Sequence, residues 1–208
     1  TKVVGKGAAD GIYINTAGVG ELIEGVDIAP TNIKAGMDII VSGTLGDHAA
    51  TVMAARHNLT LPPEIMSDSA PLCHLTAAML AAAPSIAVLR DPTRGGVAAS
   101  LNELADAAGV GILLDEAAIP VHPAVQGVCD ILGFDPLTLA NEGKLLAFVP
   151  PEDTERVLAV MHADPHGRSA CVIGHTTAEA PGSVGLRTAL GGIRVVDLPL
   201  GELVPRIC

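Results

Sequence analysis

Aromatic side chains are almost missing from this 208-residue sequence, which has no Trp, one Tyr and two Phe. Hydrophobic residues nevertheless make up 49% of the chain and charged residues only 17%. This composition argues against disorder and supports a sizeable core. The core must be built from Ala, Val, Leu and Ile, with glycines that let segments approach closely.

Other absences limit the function. No apolar run reaches the roughly 18 residues that a membrane-spanning helix needs, and the first residues do not have the pattern of a signal peptide. We therefore expect a cytoplasmic protein with no membrane partner. Basic residues are also scarce, since 12 Lys and Arg stand against 23 Asp and Glu, a net charge of −11. That balance does not suit a nucleic-acid partner, whose phosphates require a basic face.

The four cysteines give no sign of a disulfide framework, because no two of them have the C-x-x-C spacing. Cys129 and Cys171 lie among apolar residues and are predicted to be buried structural thiols. Cys73 precedes His74, which alone is a weak metal signal, and the histidines do not fall at metal-ligand spacing. No metal site is predicted. Cys208 is the last residue, and composition alone does not distinguish it from an incidental terminal thiol.

Hydrophobic patterning predicts alternating strands and helices. Strands are predicted at 11–16, 38–43, 86–90, 111–115 and 145–149, and near 170–174, 183–187 and 193–197. Helices are predicted at 47–57, 70–83, 96–108, 122–132 and 152–161. Because the last strands follow one another closely, the pattern favours an α+β fold, a mixed β-sheet with packed helices, over a doubly wound parallel sheet.

Three regions are predicted along the chain. Residues 1–35 contain one strand and then a connection rich in Gly and Pro, which indicates the C-terminal remnant of a preceding domain. Residues 36–197 are predicted to form a complete α/β domain. Residues 198–208 contain two prolines and no periodicity, so they are predicted to be a flexible tail that ends in Cys208.

Two loops that join a strand to a helix are candidate anion sites. Residues 42–48 (SGTLGDH) suit either an anion bound by backbone amides or an ordinary turn with Asp47 as N-cap, and the turn is favoured because no Walker A motif is present. Residues 90–97 (RDPTRGGV) offer more than a turn requires. Asp91 suits a metal or a helix cap, Thr93 and Arg94 supply donors, and a pair of glycines, Gly95 and Gly96, leaves amides open to phosphate.

A third candidate is Glu142 in the sequence ANEGK, residues 140–144, which leads into an apolar strand. A carboxylate next to apolar sequence is costly to bury unless it is paired, and such a group often serves as a general base. The alternative is a surface turn in which Glu142 faces Lys144. The residues alone leave both interpretations open.

These motifs together resemble the HypE family of hydrogenase maturation factors, whose superfamily includes aminoimidazole ribonucleotide synthetase and selenophosphate synthetase. The resemblance covers essentially the whole chain and rests on five motifs in order, with the terminal one the most specific: TKVV (1–4), SGTLGDHAA (42–50), RDPTRGGV (90–97), ANEGK (140–144) and PRIC (205–208). It implies two domains, of which the first supplies most of the ATP and Mg²⁺ site and the homodimer contact. The second domain of the aminoimidazole ribonucleotide synthetase-like fold is the one that this chain would contain.

The resemblance also implies an activity, the ATP-dependent dehydration of a carboxamide on Cys208 to a thiocyanate that supplies the cyanide ligands of nickel–iron hydrogenases. The implied partners are a carbamoyltransferase that loads the cysteine and an iron-bearing scaffold complex that receives the product. Cys208 would be the carrier, Glu142 the base and Lys2 the group that orients the amide or stabilises phosphate charge. The implied ATP-binding residues are Asp91, Thr93, Arg94, Gly95, Gly96 and Asn141.

Two alternatives to this activity stay open. The nucleotide-domain sequence that precedes TKVV in the family is absent here, so we expect these 208 residues alone to be inactive. A non-catalytic module that keeps the tail and docks partners is therefore one alternative. The other is a kinase or synthetase of the same superfamily that acts on a free small molecule, although such an enzyme has no use for a terminal cysteine.

Overall fold

The structure is a computed structural model that describes residues 17–199. Four of the sequence predictions lie wholly or mostly outside these residues: the strand at 11–16, the role of Lys2, the flexible tail at 198–208 and the carrier role of Cys208. Within the described part, the predicted strands and helices are present. Most boundaries differ from the prediction by one to three residues.

Seven strands form one mixed sheet within residues 17–199. They are β1 (Asp38–Val41), β2 (Val88–Arg90), β3 (Gly111–Asp115), β4 (Leu146–Val149), β5 (Cys171–Thr177), β6 (Val184–Arg187) and β7 (Ile193–Val195). Their order across the sheet is β2-β4-β1-β5-β3-β6-β7. Neighbouring strands are antiparallel except β3 and β6, which are parallel. The predicted α+β fold with a mixed sheet is confirmed.

Five helices accompany the sheet in the described residues. They are α1 (Asp47–Arg56), α2 (Cys73–Ala82), α3 (Gly96–Ala108), α4 (Pro123–Leu132) and α5 (Pro151–Ala163). The bounds of α3 match the prediction. The start of α2 was predicted three residues too early, because residues 67–70 contact the loop before β4 instead of joining the helix. No helix of residues 17–199 is long and apolar enough to cross a membrane.

The sheet has a hydrophobic cluster on each face. Successive residues of β4 alternate between them, so that Phe148 packs with α3 in one cluster while Ala147 and Val149 pack with α2 and α5 in the other. All four residues of β4 are buried, as is typical of a strand covered on both faces. A third, smaller cluster joins α1 to α4.

Residues 17–28, in the connection that was predicted from its Gly and Pro content, expose large apolar side chains such as Val19 and Leu22. Backbone contact with the sheet is present at Ala29, whose N–H donates to Ala87 O at 3.0 Å. The close packing of the domain therefore holds residues from about Ala29 onward, near the boundary that was predicted at residue 36.

The two phenylalanines provide a test of this core. Phe148 is fully buried, so Phe148→Ala is expected to lower the free energy of unfolding by about 3–5 kcal/mol. Phe134 is half-buried at the α1–α4 cluster, so Phe134→Ala is the matched control and should cost about 1–2 kcal/mol. Urea unfolding of the 208-residue chain measures both values. Equal losses would contradict the central position of Phe148.

Candidate functional site

The three candidate loops meet at one end of the sheet because of the strand directions. Strand β4 is antiparallel to both β1 and β2, and its first residue, Leu146, pairs with Val41 at the end of β1 and with Arg90 at the end of β2. The loops that follow β1 and β2 and the loop that precedes β4 must therefore lie side by side. The sheet thus brings together residues 42–46, 91–95 and 141–145.

The side chain of Asn141 joins these loops. It is 1% exposed, and its Oδ1 accepts a hydrogen bond from Gly46 N–H at 2.9 Å. Its Nδ2 donates to Pro92 O and to Leu139 O, each at 3.1 Å. The side-chain amide therefore forms hydrogen bonds with the backbone of the loop after β1, of the loop after β2 and of the segment that leads into β4. The predicted ATP-binding role of Asn141 stays a prediction, and these hydrogen bonds add a positioning role that no local pattern in the sequence reveals.

The loop at 91–95 ends at Gly95, and α3 begins at Gly96. The packing requires a glycine at both positions. Gly95, with φ +72°, is the N-cap of α3 and provides no side-chain cap. A Cβ on Gly96 would lie 2.5 Å from Leu137 O and from Leu139 O, so a side chain there would push the loop away from the loop before β4. The N–H of Gly96 donates to Thr93 O at 3.0 Å and is therefore already used within the turn.

The polar side chains of this loop differ in exposure. Asp91 and Arg94 are exposed and Thr93 is half-buried. The interpretation of Asp91 as a helix cap is wrong, because the cap position belongs to Gly95. The first turn of α3 contains no acidic residue, so the positive end of the helix dipole is not neutralised by the helix itself.

The loop after β1 is different, because Asp47 lies in the first turn of α1. The prediction of Asp47 as N-cap is wrong: Gly46 takes that position with φ +81°, and Asp47 is the first helical residue. Its Oδ2 accepts a hydrogen bond from Thr44 Oγ1 at 2.5 Å and lies 3.6 Å from Lys144 Nζ. A carboxylate already occupies this helix start, so the loop at 91–95 is the better anion site of the two.

Lys144 does not form a surface turn with Glu142. The Lys144 side chain is only 13% exposed, and its Nζ lies 3.3 Å from Asp68 Oδ2 as well as close to Asp47. Glu142 is half-buried, and its N–H donates to Asp68 Oδ1 at 3.1 Å. The surface-turn interpretation is wrong because Lys144 is paired inward. Asp68 was not predicted as a site residue, because no motif marks it and it lies 74 residues from Glu142 in the sequence.

The end of the described chain lies at the same site. Asn102 Nδ2 on α3 donates to Val196 O at 2.9 Å and so holds the segment that follows β7. Pro199 Cγ lies 3.8 Å from the position of a Cβ on Gly95. Cys208 is nine residues further on, a length that spans at most about 30 Å when fully extended. The tail therefore begins at the 91–95 loop and is long enough to return to it.

The described cysteines are distinguished by burial. Burial, together with the nearby charges of Asp130 and Asp135, raises the pKa of the Cys129 thiol to about 11. Burial also raises the pKa of the half-buried Cys171. A raised pKa keeps a thiol protonated near neutral pH. The predicted burial is confirmed for Cys129, whereas Cys171 is only half-buried. Cys73 is exposed. Within residues 17–199 no group of three or more His, Cys, Asp or Glu side chains is arranged to hold a metal ion.

The joining role of Asn141 can be tested by Asn141→Ala. The substitution leaves the Gly46 N–H and the Leu139 carbonyl without the Asn141 side chain, while the Pro92 carbonyl keeps the backbone N–H of Asn141 at 3.2 Å. The free energy of unfolding should therefore fall by at least about 2 kcal/mol. Amide hydrogen exchange at Gly46, measured by NMR, should accelerate. Asn102→Ala, which removes a half-buried amide, is the control and should cost about 1 kcal/mol without changing Gly46. Unchanged exchange at Gly46 in Asn141→Ala would contradict the joining role.

Alkylation by iodoacetamide tests the pKa directions. At pH 8 we expect Cys73 to react rapidly and Cys129 to react far more slowly, since a raised pKa leaves little thiolate. The rate at Cys129 should increase as the pH rises toward 11. Peptide mass spectrometry measures each site, and the urea-unfolded chain, in which the two thiols should react alike, is the control. Equal rates in the folded chain would contradict the burial of Cys129.

The chain is similar to known proteins over most of its length. The family described as "AIR synthase related protein, C-terminal domain" matches residues 34–187. "Carbamoyl dehydratase HypE" of Rhodobacter capsulatus is 51% identical over 208 residues, which are 100% of this chain and 61% of the relative. The protein of the same name from Rhizobium leguminosarum bv. viciae is 49% identical over 100% of this chain and 60% of its own length. The chain thus spans about 60% of the curated relatives it matches.

Solved structures give the same result. Hydrogenase maturation protein HypE has a TM-score of 0.83 and 40% identity over 87% of this chain and 58% of its own. The same protein in complex with ATP has a TM-score of 0.82 and 40% identity over 87% of this chain and 55% of its own. A HypE–HypF complex has a TM-score of 0.80 and 40% identity over 86% of this chain and 58% of its own. The resemblance of the motifs to HypE is confirmed, and the chain belongs to the family of AIR synthase related proteins that is defined by their C-terminal domain.

Proposed function

We propose that this chain carries the cysteine-bearing part of an ATP-dependent carbamoyl dehydratase, which makes a thiocyanate on Cys208 for the cyanide ligands of nickel–iron hydrogenases. One observation carries the proposal. The chain leaves the described structure at Pro199, against Gly95, and Asn141 joins that loop to the one that holds Glu142. The nine residues from there to Cys208 are enough to bring the terminal thiol to these loops. Relatives that match the whole chain and are named carbamoyl dehydratase support the assignment.

The proposed reaction has two steps after Cys208 is loaded with a carboxamide. The amide oxygen first attacks the γ-phosphorus of ATP and ADP leaves, which makes that oxygen part of a good leaving group. One of the two nitrogen protons is lost to solvent in this step, so that a neutral C=N–H group remains. A base then removes the remaining proton from the nitrogen. The electrons of the N–H bond form the carbon–nitrogen triple bond, the C–O bond breaks, and phosphate leaves with that electron pair. The product is a thiocyanate on Cys208.

The described residues suit specific parts of this chemistry. The loop at 91–95 suits ATP phosphate, because Thr93 and Arg94 stand at the start of a helix whose first turn lacks an acid. The carboxylate of Asp91 suits the accompanying Mg²⁺. The half-buried Glu142 suits the general base, which must come within about 3 Å of the nitrogen proton. Lys2 would orient the amide or stabilise the phosphate charge.

Partners and the remaining ligands belong to the same proposal. The solved HypE–HypF complex supports a carbamoyltransferase as the protein that loads Cys208, and an iron-bearing scaffold complex would receive the product in the cytoplasm. The solved complex of HypE with ATP supports the nucleotide. Because the chain spans about 60% of its relatives, we expect the remaining ATP and Mg²⁺ ligands and the homodimer contact outside these 208 residues.

Intact-mass measurement tests the proposal. The chain, extended at its N-terminus with the part that its relatives carry, is incubated with carbamoyl phosphate, ATP, Mg²⁺ and the carbamoyltransferase. We expect the carboxamide mass on Cys208 first and the mass lower by one water next. Glu142→Gln should accumulate the carboxamide with at least about 100-fold slower loss of water, since general base catalysis contributes about that much. Cys208→Ala should acquire neither group.

The controls separate the alternatives. The 208-residue chain alone, treated in the same way, should load poorly or stop at the carboxamide. An extended form that loads but never loses water would support the non-catalytic module. Consumption of ATP that persists in Cys208→Ala when a free small molecule is supplied would support the kinase or synthetase and contradict the proposal.

A further inference from the structure

Asp68 holds the backbone around Glu142 from outside the three loops. Its Oδ1 accepts a hydrogen bond from Glu142 N–H at 3.1 Å, and its side chain is only 2% exposed. Its carbonyl oxygen lies 1.7 Å from the position that a Cβ on Gly143 would take. The side chain of Asp68 therefore contacts the backbone of Glu142, and its main chain packs against Gly143, where only glycine fits.

The other oxygen of Asp68 faces a buried ammonium. Asp68 Oδ2 lies 3.3 Å from Lys144 Nζ and has no hydrogen-bond partner among residues 17–199, so Lys144 balances its charge. Lys144 is shared with Asp47 at 3.6 Å. Removing one member of a buried ion pair is far more costly than removing an exposed one, because the remaining charge loses its partner. Lys144 therefore fixes the orientation of the Asp68 carboxylate.

The backbone of Glu142 is thus held from two directions. On one side the preceding residue, Asn141, is bound to Gly46 and Pro92. On the other side Asp68 accepts the N–H of Glu142. We propose that Asp68 is the positioning residue of Glu142 and that Lys144 is its counter-ion. This inference rests on the proposed function, in which the Glu142 carboxylate takes the nitrogen proton of the phosphorylated carboxamide.

A positioning role follows from the demands of proton transfer. The base must approach the proton to within hydrogen-bond distance, and a displacement of about 1 Å can cost on the order of 100-fold in rate. Glu142 lies on an irregular loop between a 3₁₀ turn and β4 rather than on a strand or helix. The hydrogen bond that Glu142 N–H donates to Asp68 constrains that loop in the way that a regular element would otherwise do.

Asp47 offers a matched control. It pairs with the same Lys144 at a similar distance, but its carboxylate bonds Thr44 and does not contact the backbone of Glu142. Asp47→Ala and Asp68→Ala therefore each remove one carboxylate from the same ammonium. Only Asp68→Ala also removes the acceptor of Glu142 N–H. Asp68→Asn keeps an oxygen that can accept this N–H while it loses the charge.

The test follows the carboxamide and thiocyanate masses over time in the N-terminally extended chain, which gives separate rate constants for loading and for loss of water. For Asp68→Ala we expect unchanged loading, an unchanged ATP concentration for half-maximal rate, and on the order of 10- to 100-fold slower loss of water. Asp68→Asn should recover part of that rate. The rate of loss of water in Asp47→Ala should stay within a few-fold of the rate in the unsubstituted protein. The thermal midpoint of Asp47→Ala should be similar to that of Asp68→Ala.

Each outcome decides the proposal. Slow loss of water confined to the Asp68 variants supports it. Loss of water at the normal rate in Asp68→Ala would overturn it, and so would equal slowing in Asp47→Ala, which would indicate a merely structural ion pair. If Asp68→Ala does not fold, the isosteric Asp68→Asn decides: slower loss of water together with faster hydrogen exchange at Glu142 N–H supports the proposal, and a normal rate overturns it. If the unsubstituted protein makes no thiocyanate, the proposed function itself is wrong.

Discussion

The buried amide of Asn141 is the interaction on which the arrangement of the site depends. One side chain accepts from Gly46 and donates to Pro92 and Leu139, so it fixes three loops that the antiparallel strands only bring close. An amide with four hydrogen-bonding positions is suited to this, because it satisfies both donors and acceptors of irregular backbone. Without it, the Gly46 N–H and the Leu139 carbonyl would lose their partner at once, and the backbone hydrogen bond from Asn141 N–H to Pro92 O would remain between the two loops.

Two similar helix N-termini differ in the charge that lies next to them. α1 and α3 both follow a strand and both begin after a glycine in the left-handed conformation. At α1 the position of an anion is taken by Asp47, which is paired with the buried Lys144. The first turn of α3 contains no acid, and Thr93 and Arg94 lie in the loop just before it. In a chain of net charge −11, the placement of a few charges decides which helix start is available to phosphate.

Much of the fold could be predicted from the sequence, because it depends on local patterns. The spacing of apolar residues gives α3 to the residue, and the closely spaced last strands indicate a mixed sheet. The loop at 42–46 was predicted less well, since Asp47 has the composition of an N-cap while Gly46 takes the cap conformation. The roles of Asn141 and Asp68 could not be predicted, because each depends on partners 49 or 74 residues away that leave no periodicity in the sequence.

The central claim is that the tail thiol at Cys208 becomes a thiocyanate at these loops, and infrared spectroscopy tests it most directly. With ¹³C-labelled carbamoyl phosphate, ATP and the loading partner, the N-terminally extended protein should develop an absorption band of a carbon–nitrogen triple bond. The band should lie at lower frequency than with the ¹²C compound, because the heavier carbon slows the vibration, and it should be absent from Cys208→Ala. Absence of the band from the loaded, ATP-treated protein, or its persistence in Cys208→Ala, would contradict the account.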